Sequence, residues 1–244
     1  MIPNLHALQT HLFTHPFPID FSQLSTDPFP YPISSTIEGI TLHHPQLDKP
    51  FVLHFDQGAL KHRQRHQGEL LFKATGAAKQ KSLHIVDATA GLGRESVLMA
   101  SAGAQVSAFE RKPLLYFVLH EAWTRWENQK SKNNLCFYHG IAQKHFATLA
   151  KQRNLDVIYL DPMFPTRLKK AAIKREALIL QSLSSSPPSL EEETELLEAS
   201  LEYAVYRVVV KRPIKAPPLA QRKPTASIKG KMIRYDLYGK KKLP

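Results

Sequence analysis

The chain has 244 residues, 43% of them hydrophobic and 22% charged, enough for one large globular domain or a main domain with a small appendage. No apolar stretch approaches the roughly 20 residues a membrane helix requires, no basic and apolar leader opens the chain, and a lone cysteine, Cys136, excludes an internal disulfide. These properties suit a cytoplasmic protein, and a monomer is expected. The formal charge of +12 is unevenly placed: residues 1–60 carry one basic residue against five acids, 61–81 carry six against Glu69, and 207–244 carry twelve against Asp236. Two separated basic segments point to a polyanion as partner, although a solvated basic surface has the same composition.

Residues 1–60 are rich in proline, histidine and aromatics, and runs 37–43 and 50–55 have strand-like composition. A small N-terminal α+β subdomain over 1–67 is therefore expected, followed by the main domain over 68–244. Eight of the twelve histidines precede Gly68, but none has metal-ligand spacing with cysteines or acids, so no metal is expected.

From His84 the pattern alternates. Strands are expected at 84–88, 105–109, 135–139, 155–160 and 207–210. Between them lie helices at 95–102, stopped by Gly103, from Pro113 onward, at 145–152, at 169–183 and at 190–204. Such alternation implies right-handed crossovers and a mainly parallel sheet covered on both faces. Runs 226–229 and 232–238, separated by Gly230, read as a closing antiparallel hairpin. Cys136 falls within a strand and is expected to be a small buried hydrophobe. The acidic run Glu191-Glu192-Glu193-Thr194-Glu195 suits the positive end of a helix dipole and is expected to be a solvated face.

Two motifs carry chemistry. Val86-Asp87-Ala88-Thr89-Ala90-Gly91-Leu92-Gly93-Arg94-Glu95 leaves a strand and opens a helix, and Gly91 and Gly93 allow a tight turn with close ligand approach. Glu110 ends the next strand, 17 residues beyond Gly93, where an acid can accept both hydroxyls of a ribose. Ser96 stands where a dinucleotide site wants a third glycine, and acidic Glu95 would face a pyrophosphate at the helix N-terminus. That favours S-adenosylmethionine, which carries adenosine, a sulfonium and an ammonium but no phosphate. The second motif, Asp161-Pro162-Met163-Phe164, follows a buried strand. Its acid and carbonyls can accept N–H bonds from an exocyclic amine, and its ring can stack on the base. An ordinary strand-to-loop exit has the same residues, since Asp-Pro is a frequent turn starter.

These blocks, with Phe55-Asp56-Gln57-Gly58-Ala59-Leu60-Lys61-His62-Arg63, Phe109-Glu110-Arg111, Val208–Pro213 and Ala216–Ala220, resemble the bacterial 16S ribosomal RNA guanine-N2 methyltransferase J family. The resemblance runs from about Phe55 onward. It implies a Rossmann-like class I S-adenosylmethionine-dependent methyltransferase fold: a seven-stranded, mainly parallel sheet with a C-terminal antiparallel hairpin. It also implies cofactor contacts at Arg94, Glu95, Glu110, Arg111 and Asp161, and near Ile141 and Ala142, where the family tends to have serines. Asp87, Gly91 and Gly93 shape the same site.

Methyl transfer to an amine asks mostly for positioning. Asp161 and the Pro162 carbonyl are expected to orient the amine, and Phe164 to stack on the target base, which must be unpaired or extruded. Lys61, Arg63, Arg65, Lys169, Lys170, Lys211 and Arg212 are the candidate phosphate contacts to 16S rRNA or the small ribosomal subunit. Two other readings stay open at this point: methylation of another exocyclic amine in RNA or DNA, and a non-catalytic nucleic-acid-binding protein on the same fold.

Overall fold

A computed structural model describes residues 31–57, 60, 63, 69–78, 82–127, 134–162, 175–183 and 188–244. Its centre is a seven-stranded sheet. The parallel strands are β4 (His84–Asp87), β5 (Gln105–Glu110), β6 (Leu135–His139), β7 (Val157–Leu160) and β8 (Arg207–Pro213), and the hairpin β9 (Ala226–Lys229) and β10 (Ile233–Gly239) completes it. The order is β6-β5-β4-β7-β8-β10-β9, with β10 antiparallel to both β8 and β9. The expected strands and the closing hairpin thus form, each within a few residues of its expected bounds.

The strands are buried on both faces, as parallel sheets require. Ile85, Val106, Ala108, Val157, Tyr159 and Val209 face one side, against α2 (Arg94–Ser101) and α3 (Pro113–Glu127). Val86, Phe109, Ile158, Leu160, Val208 and Val210 face the other, against α4 (Phe146–Gln152) and α6 (Leu190–Tyr203). Helix α1 (Leu70–Thr75) ends at Gly76, whose φ of 83° lies in the left-handed region that glycine tolerates. Helix α5 (Arg175–Leu183) covers the later part of the expected 169–183 helix; the earlier part lies outside the described residues.

The N-terminal strands differ from expectation. β1 (Ile33–Thr36) and β2 (Gly39–Leu42) form a hairpin in which Ile37 and Glu38 are the turn, so Ile37 is exposed rather than within a strand. Gly39, at φ 122°, supplies the conformation that turn needs. β3 (Phe51–Val52) is only two residues long and pairs with β2. Leu53 and Phe55 continue inward, and Phe55 meets Trp123 and Trp126 of α3 edge-on at 6.0 and 6.1 Å. The small sheet therefore shares one apolar core with the main sheet.

Two further expectations are corrected. Cys136 is exposed: it lies on β6, the edge strand of the sheet. The 191–195 acids are not merely solvated. Glu192 completes a capping box with Ser189 and pairs with Arg111 at 3.0 Å, and Glu193 accepts the backbone N–H of Ala220. No helix among the described residues is long and apolar enough to cross a membrane.

Candidate active site

The chain runs β4, β5, β6 outward to one edge and then returns to place β7 on the other side of β4. That reversal opens a crevice at the carboxyl ends of β4 and β7, where open α/β sheets bind ligands. Both motifs converge there. The β4 loop and the β7 exit are joined directly: the Asp161 N–H donates to Thr89 Oγ1 at 2.6 Å, and the Ala88 N–H to the Tyr159 carbonyl at 3.0 Å.

Gly91 and Gly93 turn the β4 loop, at φ 56° and 69°. At Gly93 a Cβ would lie 2.6 Å from Leu119 Cδ1 and 3.0 Å from Phe137 Cζ, so glycine is required on steric grounds as well. Above Gly91 the space is open; the nearest atoms to a Cβ there are 3.9 Å away or more. The loop leans on Glu110, whose Oε2 accepts the Gly91 N–H at 2.9 Å while Oε1 accepts the Lys112 N–H at 2.8 Å. Burial raises Glu110 to about 7, against the opposing pull of those two hydrogen bonds. Asp87 is likewise raised to about 7 by burial, although Ser96 Oγ donates to Oδ2 at 2.5 Å and the Thr89 N–H to Oδ1 at 3.1 Å. Ser96 thus replaces a third glycine with a hydroxyl that holds the β4 acid.

Lys211 joins the two halves of the crevice. Its Nζ donates to Glu95 Oε1 at 2.9 Å and to Asp161 Oδ2 at 2.7 Å. Burial alone would raise Glu95; Lys211, and Arg63 at 3.6 Å, more than reverse that and hold it below the usual carboxylate range. Asp161 stays above its ordinary value because burial and the nearby Glu95 charge outweigh Lys211. Its side chain is 33% exposed, open to an incoming group. Arg63 also pairs with Glu69 at 2.9 Å. Tyr159 is fully buried on the same face, and its hydroxyl has no partner among the described residues.

The remaining expected residues are placed as follows. Arg94 points away from the Gly91 loop: it donates to the His54 carbonyl, pairs with Glu176 of α5, and lies over the Phe55 ring at 5.8 Å. Arg111 is on the surface with Glu192. Ile141 and Ala142 follow β6, whose His139 is in register with Glu110, and Ala142 is buried while Ile141 is exposed. Lys61, Arg65, Phe164, Lys169 and Lys170 lie outside the described residues. Lys211 and Arg212, expected to contact phosphate, both meet acids of this chain. Lys211 serves two carboxylates. Arg212 is 1% exposed, donates to the Pro217 carbonyl at 3.0 Å and lies 3.6 Å from Glu193. Thr89, Ser96, Glu69 and Tyr159 were not legible as site residues.

Asp87, Glu95, Glu110 and Asp161 outnumber the cations among them, and acids around a helix N-terminus repel phosphate. An open glycine turn, a buried acid at the end of β5 and this negative lining fit a cationic nucleoside cofactor. When bound, S-adenosylmethionine supplies an electrophilic methyl group on positively charged sulfur. Glu110 would hold its ribose, and the Gly91–Glu95 turn its amino-acid part.

Comparison with known proteins agrees. Residues 25–240 match the SAM-dependent methyltransferase family model SAM_MT. Ribosomal RNA small subunit methyltransferase J of Colwellia psychrerythraea is 38% identical over 210 residues, covering 82% of this chain and 75% of the relative. Its namesake in Rhodopseudomonas palustris is 40% identical over 193 residues, 75% of this chain and 91% of the relative. The crystal structure of a SAM-dependent methyltransferase from Neisseria gonorrhoeae superposes with a TM-score of 0.70 at 26% identity, over 96% of this chain and 91% of that one. With sheet order, crevice and relatives in accord, the chain belongs to the ribosomal RNA small subunit methyltransferase J family of S-adenosylmethionine-dependent methyltransferases.

Proposed function

We propose that this enzyme methylates the exocyclic N2 of a guanosine in small-subunit ribosomal RNA, acting as a single chain in the cytoplasm. The observation that carries the reading is the position of Asp161, pinned by Thr89 and Lys211 across the crevice from Glu110 and the Gly91 turn. A planar amine entering there meets the Asp161 carboxylate and the Pro162 carbonyl as acceptors. The raised pKa of Asp161 makes it a better proton acceptor than an ordinary aspartate for the proton the amine sheds. The relatives are ribosomal RNA small subunit methyltransferases by name, which supports rRNA as the substrate.

The test is mass spectrometry of rRNA nucleosides from cells with and without the gene. Loss of N2-methylguanosine at one site is expected. Full retention, or loss of a different modified base, overturns the guanine reading.

Glu110 gives a pH dependence. A ribose binds its ionised form, so the affinity for S-adenosylmethionine is expected to rise about tenfold from pH 6 to pH 8, with a midpoint near 7. Without cofactor the sign is opposite. A carboxyl raised in the folded state contributes stability that is present below its unfolded pKa and is lost as pH rises through about 7. Glu110→Gln is expected to flatten both profiles, as read by calorimetry and by thermal midpoints across that range.

A further inference from the structure

We propose that the turn joining β9 to β10, Gly230-Lys231-Met232, together with Lys229 and Lys215, is an RNA-docking element that grips the nucleotides flanking the target base. The proposal rests on the rRNA-methyltransferase reading and extends it to a surface outside the crevice.

Topology places the turn. Strand β8 runs parallel to β7, with Leu160 opposite Val210, so Asp161 and Lys211 lie side by side at one rim, where β7 ends and β8 runs on to Pro213. Strand β10 returns antiparallel to β8, with Lys211 opposite Tyr235 and Pro213 opposite Ile233. The hairpin turn therefore projects beyond that same rim. Two strand spacings across and three residues along put Met232 roughly 14 Å from Asp161. The turn is also held firmly. The Ile214 N–H donates to the Met232 carbonyl at 3.0 Å, the Gly230 N–H to the Ile233 carbonyl at 2.8 Å, and Arg234 Nη1 to the Pro213 and Ile214 carbonyls at 2.9 Å each. A Cβ on Gly230 would come within 2.8 Å of Leu70 Cδ1, so α1 backs the turn directly.

The chemistry there is one-sided. Lys215, Lys229 and Lys231 are exposed. Between Lys211 and Asp236 the sequence has no acid, and Asp236 itself is fully buried against Arg234 at 2.9 Å. None of the three pairs with an acid among the described residues, and lysines at a fixed distance from the site suit a phosphate backbone, which they bind without reading sequence. Met232 is 77% exposed among them. A flexible, polarizable thioether in that place can pack against an unstacked base and help keep the target extruded. β9 is also a sheet edge, and edge lysines can serve to block strand pairing. That role calls for lysines along the strand and gives Met232 nothing to do, whereas here the charges gather at the end facing the crevice.

The experiment uses the full chain and small-subunit rRNA from cells lacking the gene, with methyl transfer followed at several salt concentrations. Lys229→Gln with Lys231→Gln is expected to raise the KM for RNA about tenfold. It should also reduce the slope of log affinity against log salt by about 1 to 2. Cofactor Kd and thermal midpoint should be unchanged. Met232→Ser is expected to raise the RNA KM severalfold with the wild-type salt slope. If the wild type methylates this RNA while both variants keep its KM and slope, the docking role is overturned and the methyltransferase reading stands. If the wild type transfers no methyl group to it, both fall.

Discussion

Asp161→Ala is expected to lower kcat for rRNA methylation by a factor on the order of 10³, while the Kd for S-adenosylmethionine stays within about tenfold. The split follows from what surrounds the residue. Its backbone is fixed by Thr89, and one carboxylate oxygen is fixed by Lys211, which leaves the other to accept an amine N–H. Loss of that acceptor leaves the amine held only by the Pro162 carbonyl, with no carboxylate to receive its proton. Cofactor contacts are mostly elsewhere: Glu110 still supports the Gly91 turn, and Lys211 still has Glu95. Asp161→Asn keeps an acceptor but no base, so its kcat should fall between those of the wild type and the alanine variant. Single-turnover kinetics at saturating RNA, paired with calorimetry, reads both quantities. Wild-type turnover in the alanine variant removes Asp161 from the mechanism.

Lys211→Met should damage both stability and turnover. The substitution keeps most of the side-chain volume but removes the cation that, among the described residues, lies within 3 Å of both Glu95 and Asp161. Glu95 is then left with Arg63 at 3.6 Å. Removing one partner of a fully buried ionic group costs about 3–5 kcal/mol; these side chains are 17–33% exposed, so solvent screening reduces the cost to about 1–3 kcal/mol. The sign with pH is definite. Without Lys211 the two carboxyls have folded-state pKa values above their unfolded ones, so stability is retained at low pH and lost as pH rises through those values. The gap between variant and wild type should therefore narrow between pH 7 and pH 5. Turnover at pH 7 should drop more than a hundredfold, with partial recovery in Lys211→Arg. Denaturant titrations across that range, with kinetics alongside, make the check. A variant that is as stable as the wild type and merely has a higher RNA KM would return Lys211 to the phosphate contacts.

Much of the main sheet was legible because its strands are short apolar runs bounded by glycine, proline or acids, with helices of matching period between them. The N-terminal hairpin was not: Ile33-Ser34-Ser35-Thr36 has weak strand character, and Ile37 is apolar yet sits in the turn that Gly39 makes possible. Cys136 was misplaced because alternation along a strand gives two faces but not which is covered, and that depends on β6 being at an edge. The site shows the same division. Gly91, Gly93, Glu110 and Asp161 could be read locally, since each belongs to a turn or strand end whose chemistry lies within a few residues. For Lys211 and Arg212 the sequence offered phosphate, and the structure shows carboxylates beside them. Being adjacent on a strand they point to opposite faces, one to Glu95 and Asp161 and the other to Glu193. Those acids come from other parts of the chain, and a basic dipeptide looks the same whether it meets phosphate or buried carboxylate.

The ionic knot at Arg63, Glu95, Asp161 and Lys211 spans 148 positions of sequence, 211 minus 63. The strand flanking Lys211 comes from still further along, at Tyr235. Contacts so remote pay their loop-closure entropy late in folding. The Gly91 turn and Glu110 need only β4 and β5, whereas the amine-holding side needs β7, β8 and β10 brought together, so the two halves of the site differ in how much of the chain must be in place. Binding of the methyl donor therefore reads one half of the molecule, and methyl transfer reads the whole of it.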